Sequence, residues 1–129
     1  MKKKQLKSHL WLLGLLLCVS ASVDAQCRFQ TFNWGTDDFG TAVAIEDVVA
    51  VVGARLHDFP IADAGRAYVY RQVDDAWLLE QELMAFDASG GAAFGSAVAI
   101  SPDVVVVGAP GDDAAGDDAG AVYIFRHDG

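Results

Sequence analysis

The 129-residue sequence predicts an all-β fold: four-stranded antiparallel sheets of the propeller-blade kind, forming an incomplete propeller. Three observations carry that expectation. The chain repeats itself with a strict period of 55 residues, its central segments are continuous β-branched runs, and the links between those segments are tight turns.

The repeat comes first because it organises the rest. FGTAVAI (Phe39 to Ile45) lands on FGSAVAI (Phe94 to Ile100), and VVGA (Val51 to Ala54) on VVGA (Val106 to Ala109). AGRAYVYR (Ala64 to Arg71) lands on AGAVYIFR (Ala119 to Arg126). Phe39 to Asp74 against Phe94 to Gly129 gives 17 identities in 36 positions without a gap. A two-layer sandwich would not explain so strict a period.

Each copy then reads as a series of short strands. Phe39 to Ile45 and Phe94 to Ile100 are small-apolar strands, each opened by a Phe-Gly pair whose glycine permits a close backbone approach. Val48 to Val52 and Val104 to Val107 are strands covered on both faces. Ala67 to Arg71 and Val122 to Arg126 alternate aromatic and aliphatic residues, and Tyr68, Tyr70, Tyr123 and Phe125 read as inter-sheet packing. Ala76 to Leu83 fits helix or strand by pattern, and its place in the series argues strand. The links Glu46-Asp47 and Ser101-Pro102-Asp103 are too short for a crossover, so neighbouring strands run antiparallel.

These residues resemble the FG-GAP repeat, found in the integrin alpha-chain head and in many bacterial secreted proteins. The resemblance rests on Phe39-Gly40 with Val52-Gly53-Ala54, and on Phe94-Gly95 with Val107-Gly108-Ala109-Pro110. It extends to the loop Gly108 to Phe125 and the tryptophan segment Trp77 to Leu83, and so covers Asp37 to Gly129. It implies a β-propeller, often of seven blades. The calcium loop of integrin-type repeats does not carry over, because Glu46-Asp47 and Ser101-Pro102-Asp103 replace it. Calcium takes about six to eight oxygens, more than such turns supply.

A second acidic loop holds Asp112, Asp113, Asp117 and Asp118. Read functionally, it is a metal site with calcium as its cofactor; read structurally, Asp and Gly simply make good turns. Only Asp58 and Asp63 match it in the first copy. Asp58, Asp63 and Trp34, which has no aromatic counterpart at Ser89, are the candidate ligand contacts.

The chain begins with a basic stretch, a ten-residue apolar run (Leu10 to Val19) and Val23-Asp24-Ala25, the pattern of a secretory signal cut after Ala25. The expected organisation is a signal peptide over 1–25, a lead-in strand over 26–38, one repeat over 39–92, and a second over 93–129 that stops before its outer strand. Leu17 and Gln26 precede the two cysteines, which argues against lipidation and leaves Cys27 as the sole mature thiol. Cys27 to Trp34 occupies the slot of an outer strand and is expected to pair with a last blade in a longer protein. Ring closure takes about four blades or more, so the remaining blades are expected from a longer chain or by assembly.

After Ala25 there are five arginines, no lysine and 17 acidic residues, a net charge of −12. Such a domain repels phosphate backbones and anionic lipid. No apolar segment reaches the length of a membrane span. His57 and His127 share no motif, none of Ser89, Ser96 and Ser101 lies in G-x-S-x-G, and no phosphate loop occurs, so no catalytic residue is assigned. The expected function is a secreted or surface-displayed, non-catalytic binding or adhesion module. Its partner would be an extracellular protein or glycan, met by the loops Arg55 to Ala64 and Pro110 to Ala119. The alternatives are an accessory propeller of a larger secreted enzyme and a purely structural repeat array.

Overall fold

The computed structural model describes residues 30–33, 35–58 and 60–127. The predicted signal segment, Cys27 and Trp34 lie outside them. Seven strands follow one another: β1 (Phe39–Glu46), β2 (Val49–Ala54), β3 (Arg66–Val73), β4 (Ala76–Leu83), β5 (Ala97–Ser101), β6 (Val104–Ala109) and β7 (Ala121–Arg126). They form two antiparallel meanders, β1-β2-β3-β4 (sheet 1) and β5-β6-β7 (sheet 2). The all-β expectation holds, and Ala76–Leu83 is a strand, as its place in the series implies. Among the described residues no helix is long and apolar enough to cross a membrane.

Turn chemistry explains much of the acidity. Asp38, Asp47, Asp63, Asp74, Asp75 and Asp118 all take left-handed backbone angles, with φ between 47° and 70°. Aspartate tolerates that region better than most residues because its short side chain can bond locally. Three arginines then offset nearby acids on the surface: Arg55 with Asp38 at 2.8 Å, Arg71 with Glu80 at 3.0 Å, and Arg66 with Glu82.

Strand alternation gives each sheet two unlike faces. On sheet 1, Val49, Val51, Ala67, Val69 and Leu83 make an aliphatic face, while Phe39, Tyr68 and Tyr70 make an aromatic one. On sheet 2 the aromatic face carries Phe94, Tyr123 and Phe125 with Val98, Val105 and Val107. The main core is the aromatic face of sheet 2 packed on the aliphatic face of sheet 1.

The repeat is reproduced bond by bond. Phe39 meets Tyr68 edge-on with ring centroids 5.4 Å apart, and Phe94 meets Tyr123 likewise at 5.4 Å. The Thr41 hydroxyl donates to the Asp38 carbonyl at 2.5 Å, and the Ser96 hydroxyl to the Ala93 carbonyl at 2.7 Å. Two boundaries differ from expectation. The fifth strand starts at Ala97 rather than Phe94: Phe94 makes a parallel bridge with Gly65 of the first sheet's loop, whereas Phe39, flanked by the same positive φ on both sides, pairs with Ala54 inside β1. Residues 30–33 carry no strand; Phe32 instead stacks on Tyr70 at 4.4 Å.

Candidate functional site

Antiparallel pairing puts the two long loops, 55–65 and 110–120, at the same end of their sheets, opposite the tight turns at Asp47 and Asp103. Both loops are folded by the same bonds. The His57 amide donates to the Ala54 carbonyl at 3.2 Å, and Asp112 to Ala109 at 3.3 Å. The Gly65 amide closes the first loop on the His57 carbonyl at 3.1 Å, as Gly120 closes the second on Asp112 at 2.9 Å.

The aspartates retained in both copies have one job in common. Asp58 Oδ1 accepts the amide of Asp63 at 3.0 Å, and Asp113 Oδ1 accepts the amide of Asp118 at 2.7 Å. Each pair is a staple across five residues, and the donor of each pair sits in the left-handed region.

Asp112 behaves differently from its acidic neighbours. It is 2% exposed, its Oδ1 accepts the Ala114 amide at 3.0 Å, and its Oδ2 lies 2.9 Å from the Tyr123 hydroxyl. That hydroxyl also lies 2.6 Å from Asp87 Oδ1. Burial, then the bonds to Asp87 and Asp112, push the Tyr123 hydroxyl well above the usual tyrosine range. Burial raises Tyr68 as well. In the first copy the position of Asp112 is taken by His57, whose Nδ1 lies 2.6 Å from Asp37 Oδ2.

The structure therefore does not gather Asp112, Asp113, Asp117 and Asp118 around one point. Asp112 turns inward to Tyr123, while Asp113 is engaged by the Asp118 amide and the rest of the loop is exposed. Among the described residues no group of three or more metal-ligating side chains comes together. This donor arrangement does not fit a calcium ion. Asp58 and Asp63 sit exposed in the first loop.

Sequence reading missed the Asp37–His57 pair and the Asp87–Tyr123–Asp112 cluster. The signal was present in the repeat: His57 and Asp112 hold one position, and so do Tyr68 and Tyr123. At the opposite end, a cleft of about 480 Å³ opens between the sheets, bordered by Asp47, Arg71, Glu80, Asp103, Arg126 and His127. It mixes charges of both signs above an apolar floor.

Antiparallel meanders of four and three strands, repeated in register and packed face on face, define a repeat protein built from blades of the β-propeller type. The chain belongs to the FG-GAP repeat family, whose profile matches residues 34–70 and 77–125. Among curated proteins, none matches the chain. The family's unit boundary falls between β3 and β4, whereas hydrogen bonding groups β4 with β1–β3. The outer strand of the first sheet thus comes from the second sequence unit.

Proposed function

We propose that the chain is a secreted or surface-displayed, non-catalytic binding module that meets an extracellular protein or glycan through the loops 55–64 and 110–119. The observation that carries this reading is the pair of identical staples, Asp58–Asp63 and Asp113–Asp118. They hold two exposed loops in one conformation at one end of a rigid scaffold, and such loops are where binding surfaces are built. FG-GAP repeats form modules often found in binding and adhesion, which agrees with this reading.

The test replaces residues 60–62 and 114–117 with Gly and Ser, leaving the stapling aspartates in place. Binding to a glycan array and to surfaces coated with collagen or fibronectin is then compared with the parent. Loss of binding at unchanged melting temperature supports the reading. Binding that survives both replacements overturns it. Export is tested separately, by mass spectrometry of the mature N-terminus, which should begin at Gln26.

A purely structural repeat array is the second reading. It is favoured by the apolar residues left open on both sheets, among them Val43, Ile45, Val122 and Ile124.

A further inference from the structure

The two sheets meet through unlike faces, and the repeat gives the positions of that junction on β1–β3 and β5–β7 a counterpart 55 residues away. The counterparts lie on faces that nothing among the described residues fully covers. On sheet 1, Val43 and Ile45 pair with Val52 and Ala50 and so share the aromatic face; they are 69% and 63% exposed. Their matches on sheet 2, Val98 and Ile100, are packed into the junction. On sheet 2, Val122 and Ile124 alternate with the inward Tyr123 and are 66% and 64% exposed. Their matches on sheet 1, Ala67 and Val69, are 0% and 8% exposed. Phe32 covers the Tyr70 end of the aromatic face of sheet 1 and leaves Val43 and Ile45 open.

A second observation is independent of hydrophobicity. Gly53 lies at the junction, and a Cβ there would fall on the Gly95 carbonyl oxygen, so sheet packing demands glycine. Its counterpart Gly108 has no left-handed φ, and a Cβ there would meet only Ala97 at an ordinary 3.5 Å. Its partner by the same shift, Gly40, has nothing within 4 Å of a Cβ. Nothing among the described residues requires glycine at 108. A second junction of the same kind would require it.

We propose that copies of this chain associate head to tail, with the aliphatic face of sheet 2 in one copy seated on the aromatic face of sheet 1 in the next. The union repeats the junction already present inside each chain. Val43 and Ile45 take the places of Val98 and Ile100, and Val122 and Ile124 those of Ala67 and Val69. Gly108 meets Gly40 as Gly53 meets Gly95. Because the contact joins unlike faces, each dimer keeps one open face of each kind, and growth continues into a ring or an open stack. The inference stands whether or not the loops bind a ligand.

Sedimentation of the purified chain against concentration tests it, using two double variants. Val43→Glu with Ile45→Glu spoils only the aromatic face of sheet 1, and Val122→Glu with Ile124→Glu only the aliphatic face of sheet 2. The parent should form dimers and larger species, and each variant alone should stay monomeric. Their equimolar mixture should give a one-to-one dimer that grows no further, since only one intact face of each kind remains. Gly108→Ala gives a milder check, abolishing association without adding charge. Circular dichroism and melting confirm that each variant is folded. A parent that stays monomeric at millimolar concentration overturns the proposal, as does a mixture that stays monomeric. A dimer formed by either double variant alone, the mark of like faces pairing, overturns it too.

Discussion

Gly53 and Gly95 are in backbone contact across the junction of the two sheets: neither can carry a Cβ without striking the other's strand or its neighbour. Gly53→Ala should therefore cost about 1–3 kcal/mol, the usual range for overpacking a tight core. Gly108→Ala, at the matching position of the second sheet, should fall within about 0.5 kcal/mol of the parent in dilute solution. Thermal melts of the two variants decide the matter. Equal losses would mean that the glycines serve strand geometry rather than sheet approach.

Tyr123 ties the loop at Asp112 to the connector at Asp87. Tyr123→Phe leaves the buried Asp112 carboxylate with only the Ala114 amide, and should cost about 1–3 kcal/mol. Urea midpoints at neutral pH measure it; a change below about 0.5 kcal/mol would show that the hydroxyl is dispensable.

The same tyrosine sets an alkaline limit. Its folded pKa is raised above the unfolded value of 10.0, so the folded state holds the proton more tightly. The resulting stability is complete below pH 10 and declines as the pH rises above it. Tyr123→Phe should flatten that decline between pH 10 and 11.5, leaving the smaller contribution of Tyr68. An unchanged alkaline slope in the variant would contradict this.

The stapling role of Asp113 separates it from a metal ligand. Asp113→Ala should raise cleavage in the loop 110–120 under limited proteolysis, and Asp113→Asn, which keeps the Oδ1 acceptor, should restore the parent pattern. Millimolar calcium should leave the melting temperature of the parent unchanged. A clear rise on adding calcium, lost in Asp113→Asn, would assign these carboxylates to an ion instead.

Phe32 stacks on Tyr70 from outside the strand order. Phe32→Ala should cost about 1–2 kcal/mol, as expected for a half-buried aromatic pair. If deleting residues 26–34 costs no more than Phe32→Ala, the lead-in acts through that one ring.

The strands were legible because a period of 55 residues doubles the local signal of three of them, and Ala76–Leu83, which has no copy in this sequence, is placed by its neighbours alone. The loop chemistry was only partly legible. Asp112, Asp113, Asp117 and Asp118 look alike in sequence, and what separates them is the strand beside the loop, where Tyr123 takes up Asp112. The open faces were not legible either. In β1 and β7 both alternating sets of residues are small or apolar, so the pattern does not say which set a neighbour covers. The place of Phe94 outside β5 is not legible, because its bridge to Gly65 is a contact between the two copies that the repeat pattern does not carry.

The staples carry a consequence for how such a chain can change over generations. A carboxylate-to-amide staple spans the tip of each loop, and residues 60–62 and 114–117 inside the staples are exposed, so their side chains bear little of the fold. A lineage keeping only those two aspartates per loop can rewrite the tips freely, trying new surfaces on sheets that need no retuning. Innovation and foldability are thereby assigned to different residues.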